Sequence, residues 1–252
     1  MLNKLTKAQI ADAIERLRDD HDYYGSFGKQ FISNSDVGAL LSNPLEFRVS
    51  RPDNQAFAKG RYFHQSILEP EKVKDWEFVD SYSRNTNVYK RAVEDSGKEV
   101  LLLEKEKKEM DYLVNVMMTN FELYEQIYLN DNVFEVPGVQ QFNGVWWKGK
   151  ADIISKDCII DLKTTSNIKE FRFSAKKYNY DSQCYIYQNI FGKPLVFYAI
   201  DKKSAQVGIY EPSDAFVRGG EEKVLRALEV YEQFFGENAT DDLRSYIIRE
   251  TL

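Results

Sequence analysis

The segment Gly149-Lys150-Ala151-Asp152-Ile153-Ile154-Ser155-Lys156-Asp157-Cys158-Ile159-Ile160-Asp161-Leu162-Lys163 constrains this chain more than any other. Two short runs rich in isoleucine flank Lys156-Asp157, which reads as a two-residue hairpin loop. In that register Ser155 faces Cys158, Asp152 faces Asp161 and Lys150 faces Lys163. Side chains alternate along a strand, so Asp161 and Lys163 share one face with Asp152 beside them. Ile153, Ile160 and Leu162 then point the other way, into a core. Opposed carboxylates repel, strongly when buried, unless they share a cation. Carboxylate oxygens suit hard Mg²⁺. A lysine two residues on reaches the same volume, and beside a divalent ion its pKa is expected to fall. Lys-Asp lacks the glycine usual in such turns, and a one-residue bulge would separate the pair. Taken alone, the pattern also fits a surface hairpin with scattered charges.

The flanking sequence predicts a mixed α/β protein. Thr6 and Gln9 form a capping box ahead of an apolar stripe at Ile10, Ala13, Ile14 and Leu17. His21, among acids, reads as solvated loop. Ser33 or Ser35 caps a short helix through Leu41. A second helix spans 57–68 and stops at Pro70. Residues 71–97 are ambiguous, and 99–128 read as one long helix with Leu103, Met110, Leu113, Met117, Phe121 and Tyr124 at helical spacing. After residue 130 the character changes: strands over 133–136, 139–147, 150–155 and 158–163, helices over 167–177 and 180–191, strands over 195–200 and 206–210. Ser213 caps a last long helix to Phe235, with a short helix near 241–248. No stretch looks like a linker, so one domain over 1–252 is expected: a central sheet flanked by helices, with a helical N-terminal part.

The chain carries further signatures. D-x₈-D-x-K on a hairpin resembles the core of the PD-(D/E)XK nuclease superfamily. Gln183-Cys184-Tyr185-Ile186-Tyr187, on a predicted helix, resembles the Q-x₃-Y motif of its RecB-like members. The segment from Gly60 through His64, Leu68, Glu69 and Pro70 to Glu71 resembles G-x₃-H-x₃-L-E-P-E of phage RecE-type exonucleases. The stretch from Ser33 to Pro44 is similar to the opening motif of the same enzymes. The resemblance implies a restriction-endonuclease-like core. It implies metal ligation by His64, Asp152, Asp161 and the carbonyl of Leu162, with Lys163 as catalytic lysine. Gln183 and Tyr187 would face the scissile phosphate or position Lys163; they fit helix-to-sheet packing equally well. Alone, His64 also fits a packed, hydrogen-bonded histidine. Relatives often carry a glutamate on the strand before the first aspartate. Here Gln140 and Gln141 stand nearby and Glu135 is the one glutamate close by, so a third acidic ligand is not assigned.

Composition narrows the partners. Thirty-four basic and forty acidic side chains give a net charge of −6, so nucleic acid would need a local basic surface. Lys169, Arg172, Lys176 and Lys177, interleaved with Phe171, Phe173 and Tyr178, supply one, with Lys150 nearer the motif. The same charges also fit the solvated face of a helix. Of Trp146 and Trp147, adjacent on a strand, at most one could stack on DNA. Two cysteines exclude a disulfide scaffold, an iron–sulfur site and a four-cysteine zinc site. No apolar run approaches the roughly 20 residues of a membrane span, so a soluble, cytoplasmic protein is expected. The resemblance implies a Mg²⁺-dependent exonuclease (Mn²⁺ a possible substitute) acting on linear double-stranded DNA with 5′→3′ polarity. It also implies a single-strand annealing recombinase as partner and a homo-oligomeric ring, trimer or tetramer. Two alternatives use the same fold: a single-strand- or structure-specific nuclease, and a degenerate DNA-binding module.

Overall fold

A computed structural model describes residues 5–50 and 52–247. The N-terminal half is mostly helical: α1 (Lys7–Arg16), α2 (Asp20–Tyr24), α3 (Asn34–Ser42), α4 (Gln55–Leu68), α5 (Asn87–Ser96), α6 (Glu104–Thr119) and α7 (Phe121–Ile127), with a small parallel pair β1 (Phe78–Val79) and β2 (Leu102–Leu103). A five-stranded mixed sheet follows: β3 (Val133–Phe142), β4 (Val145–Ile154), β5 (Ile159–Thr165), β6 (Leu195–Asp201) and β7 (Val207–Tyr210), in that spatial order. Within this sheet only β5 and β6 run parallel. Helices α8 (Phe171–Lys177) and α9 (Tyr180–Phe191) make the crossover between them, and α10 (Asp214–Phe235) is the last α-helix among the described residues.

Alternation along the strands builds two cores. Trp147, Ala151, Ile159, Phe197 and Ala199 pack with α3, α9 and α10 on one face. Ile153, Ile160, Leu162, Tyr198 and Ile200 pack with α4, α6 and α7 on the other. The sheet is therefore a layer between helices, as expected, and the α4 face carries His64 to the middle of it.

Several elements depart from the sequence reading. The run 139–147 is divided by a two-residue turn: Asn143 and Gly144 take φ 49° and 80°, the left-handed pair that Asn-Gly favours and that matches hairpin twist. The long helix over 99–128 is instead β2, α6 and α7. Leu103 donates its amide to Glu106 at the start of α6, and Asn120 caps α7 by accepting from Leu123 at 3.2 Å. A strong cap restarts a helix even where apolar spacing is continuous. The ambiguous stretch contains α5, capped by Thr86. His21 lies in α2 rather than in a loop, though exposed. Within the predicted helix near 241–248 there is one 3₁₀ turn, Leu243–Ser245, and residue 248 lies outside the described residues. Trp147 is fully buried against Phe142 and Trp146 is 6% exposed. Neither ring is placed to stack on DNA, because β4 is covered on both faces.

Candidate active site

β4 and β5 pair at Ile153–Ile160 and Ile154–Ile159, in the register the hairpin predicts. Beyond those pairs the strands part. Ala151 belongs to one core and Ile153 to the other, so alternation slips at Asp152. On β3, Phe134 pairs with Ile153 and Val136 with Ala151, leaving Glu135 opposite Asp152 with φ 48°. A left-handed backbone at a non-glycine residue is unfavourable, and such outliers cluster at functional sites. The slip means Lys150 does not face Lys163. Lys150 pairs with Pro137 on β3, and its Nζ lies 2.6 Å from Asp20 on α2.

Asp152 turns into the gap between the strands. Its Oδ2 accepts from the Leu162 amide at 2.8 Å. A strand residue's N–H and C=O point to the same neighbour, so the Leu162 carbonyl opens on that gap too. α4, capped by the Asn54 side chain, buries Tyr62, Phe63 and Ile67 and brings His64 Nδ1 to 3.2 Å from Asp152 Oδ2. One ligand atom each from His64, Glu135 and Asp152 lies within 4.8 Å of the others. Glu135 is thus the third acidic group the sequence left unassigned. Its type was legible; its position depends on the left-handed backbone, which no residue pattern announces.

Asp161 and Lys163 sit beside this cluster. Lys163 Nζ contacts Asp161 Oδ1, yet no aligned hydrogen bond reaches that buried oxygen. Asp161 Oδ2 accepts from Gln183 Nε2 on α9 at 2.9 Å. The Lys163 ammonium lies 4.9 Å over the Tyr180 ring. Tyr187 packs under the sheet and donates its hydroxyl to the Lys150 carbonyl at 2.8 Å. Of the outlying cations, Lys169, Arg172, Lys176 and Lys177 are exposed on and before α8.

The carboxylates are held in unlike states. Burial pushes the Asp152 pKa up, but the His64 charge and hydrogen bond, with Lys163 and the Leu162 amide, outweigh it and hold it low. Burial raises Asp161 despite Lys163, with Asp152 adding to the rise. Burial and the charges of Asp152 and Glu69 push Glu135 up to about 8. His64 is lowered by burial and raised by Asp152, and Asp152 wins. Lys163 is likewise lowered by burial and raised by more through Asp161, so its pKa lies above the usual range. The carboxylates facing the ammonium cause this rise; the fall expected from the sequence belongs to a lysine beside a bound divalent ion. Two carboxylates and an imidazole converging on a small volume, with the buried Asp161 beside them carrying one oxygen without an aligned donor, fit a divalent cation of the oxygen- and imidazole-binding class. His64, Glu135, Asp152, Asp161 and the Leu162 carbonyl would hold it. A cavity of about 290 Å³ bordered by Tyr24, Arg61, His64, Glu135, Lys150 and Asp152 gives access.

Residues 30–240 match the family described as "PDDEXK-like domain of unknown function (DUF3799)". The chain belongs to that family. It therefore has the PD-(D/E)XK nuclease fold. No curated protein matches the sequence. Among solved structures, one described as a "Putative exonuclease" from Eubacterium rectale shares 15% identity at a TM-score of 0.59, covering 100% of this chain and 97% of its own. At that identity the likeness concerns the fold alone. A second, SSO0001, shares 16% identity over 85% of this chain and 84% of its own, at a TM-score of 0.35, and carries no argument. Among the described residues no helix is long and apolar enough to cross a membrane.

Proposed function

We propose that this protein is a metal-dependent exodeoxyribonuclease. It hydrolyses phosphodiester bonds of linear double-stranded DNA, working 5′→3′ and leaving 3′ single-stranded tails for recombination by strand annealing. One observation carries the reading: His64, Glu135 and Asp152 converge within 4.8 Å, with Asp161 and Lys163 in contact beside them. A bound divalent ion, Mg²⁺ or in its place Mn²⁺, supplies a water of lowered pKa and neutralises charge on the phosphate oxygens. Lys163 orients the attacking water, or takes its proton at Nζ once a bound cation lowers the pKa that the carboxylates alone hold high. Gln183 holds Asp161 in place, and Tyr187 fixes the strand through the Lys150 carbonyl. Exposed Lys169, Arg172, Lys176 and Lys177 hold backbone phosphates; Lys150, engaged by Asp20, contributes at the cavity wall. The resemblance to RecE-type enzymes supports the polarity, a ring of three or four copies, a single-strand annealing recombinase as partner and action in the cytoplasm.

A second reading has one observation in its favour. Phe173 and Tyr178 are 56% and 59% exposed beside the α8 cations, and aromatic faces next to cations suit unstacked bases. A single-strand- or structure-specific nuclease would use them. Linear duplex labelled at either the 5′ or the 3′ end, incubated with protein and Mg²⁺, is expected to lose the 5′ label first. Asp161→Ala is expected to abolish release. No nucleotide release, or equal release by the variant, overturns the assignment. Faster digestion of single strands than of duplex selects the second reading.

A further inference from the structure

A cavity of about 330 Å³ lies at the far end of β4, bordered by Lys29, Gln30, Arg48, Trp146 and Tyr231. In a chain of net charge −6 its lining contains two cations and no carboxylate. The cavity at the metal cluster, by contrast, is bordered by Asp20, Glu69, Glu135 and Asp152. Arg48 lies over the Phe47 ring and, among the described residues, has no carboxylate partner. Its Nε is buried without an acceptor, and so is Trp146 Nε1 on the same cavity. Buried donors are nearly always satisfied, so two orphans on one cavity indicate a place for an acceptor. Lys29 is exposed and forms no ion pair among the described residues. Behind them Lys148 donates to the Tyr23 carbonyl. Burial lowers its pKa to about 8; Asp36 opposes, while Arg48, Lys150 and Lys29 reinforce the fall. Asp36 is already engaged by the Ser33 amide and hydroxyl, each at 2.8 Å. The wall of this cavity therefore presents cations and unsatisfied donors but no carboxylate.

We infer that this cavity is a second anion site, which takes a backbone phosphate of the nucleic-acid strand held at the metal cluster. The clause about the strand rests on the nuclease reading; the anion site does not. A depression links the two places. Lys29 and Arg48 also border a groove with Tyr24, Arg61 and Lys148, and Tyr24 and Arg61 border the cavity with His64 and Asp152. Asp53 in that groove is bound to Arg61, and Asp36, Glu46 and Glu99 border it too, so its charges are mixed; the carboxylate-free lining is that of the cavity at Trp146. Trp146 and Asp152 are six residues apart on β4, about 20 Å in extended chain. That is on the order of six base-pair steps of duplex. None of the α8 cations borders this cavity or the groove.

The test measures binding without cleavage. Full-length protein in EDTA is titrated into fluorescently labelled 20-base-pair duplex at several salt concentrations. Arg48→Ala and Lys29→Ala are each expected to weaken binding roughly tenfold and to reduce the log–log salt slope by about 0.9 for each phosphate no longer neutralised. Arg48→Lys should retain most of the affinity. Lys29 is exposed and Arg48→Lys keeps the stem, so either variant reads the site even where Arg48→Ala unfolds. Calorimetry with inorganic phosphate separates the sources. Phosphate binding abolished in Arg48→Ala, with duplex binding and slope unchanged, assigns the cavity to free phosphate and overturns the strand. Unchanged duplex binding and no phosphate binding overturn the site altogether. Because no metal is present, a protein that binds duplex through Arg48 yet releases no nucleotides with Mg²⁺ loses the nuclease reading alone.

Discussion

Asp152, Asp161 and Lys163 were legible as neighbours because a hairpin brings its two strands together, although the slip at Asp152 breaks the facing register beyond Ile153 and Ile160. Glu135 was not, because its approach to Asp152 depends on one left-handed residue, and a glutamate gives no local sign of adopting it. Two predictions belong at this scale. Lys163→Met removes the Nζ that faces Asp161 and should cut nuclease turnover by about 10²–10⁴-fold, the range for removing a proton-transfer group, while duplex binding in EDTA stays within twofold. Turnover within about tenfold of the parent would remove Lys163 from the chemistry. The second prediction concerns pH. A carboxyl whose folded pKa exceeds its unfolded value binds more protons when folded, so stability is present at low pH and lost as pH rises. For Glu135 the window runs from its ordinary 4.5 to about 8, faced by Asp152, Glu69, His64 and Lys150. The raised pKa values of His64 and Asp161 act in the same direction. The lowered Asp152 acts oppositely, and only in the acid range. Metal-free protein should therefore melt several degrees lower at pH 8 than at pH 5.5, and Glu135→Gln should flatten much of that slope. Equal slopes in parent and variant, followed by thermal denaturation in EDTA, would show that Glu135 is not held protonated by the fold.

At the scale of elements, the core strands and amphipathic helices followed from period and caps, and the errors fell where a local signal overrode a continuous apolar pattern. Asn143-Gly144 and the Asn120 cap are both of that kind. The closeness of α9 to the sheet was not legible, because it depends on two glycines from different strands meeting. Gly138 pairs with Gly149 across β3 and β4. A Cβ at Gly149 would come within 2.9 Å of the Tyr187 ring, and one at Gly138 within 2.4 Å of Ile190. The bare patch lets α9 lie close enough for Tyr187 to reach the Lys150 carbonyl and for Gln183 to reach Asp161. Gly149→Val overfills that space and should cost about 1–3 kcal/mol in urea denaturation. It should also lower turnover more than duplex binding, because displacing α9 moves Gln183 away from Asp161. A variant as stable as the parent would mean that α9 adapts without tight packing at this place.

For the whole molecule, the site joins parts of the chain that are distant in sequence. His64 comes from the N-terminal helical half, Glu135 and Asp152 from β3 and β4, and Asp161 from β5, the second strand of the hairpin. The family match over residues 30–240 spans all of them. Without a cation, the acids of this cluster sit together in a chain already at −6, which opposes folding; with one, the same groups become a cross-link between α4 and the sheet. Anything that binds the folded form alone stabilises it by mass action, about 2.7 kcal/mol at one hundred times Kd. For a domain of this size each kcal/mol raises Tm by roughly 2–4 °C. Saturating Mg²⁺ or Mn²⁺ should therefore raise Tm by about 5–10 °C, and EDTA should reverse the shift. Asp152→Asn should remove the metal-dependent shift without lowering the metal-free Tm by more than a few degrees, since the amide still accepts from the Leu162 N–H. Ca²⁺, which also takes oxygen ligands, separates binding from chemistry: a Ca²⁺ shift with no hydrolysis places the metal at these residues independently of turnover. If neither Mg²⁺ nor Mn²⁺ moves Tm in the parent protein, the cluster is not a metal site, and the Asp161–Lys163 pair is then an internal ion pair of the fold.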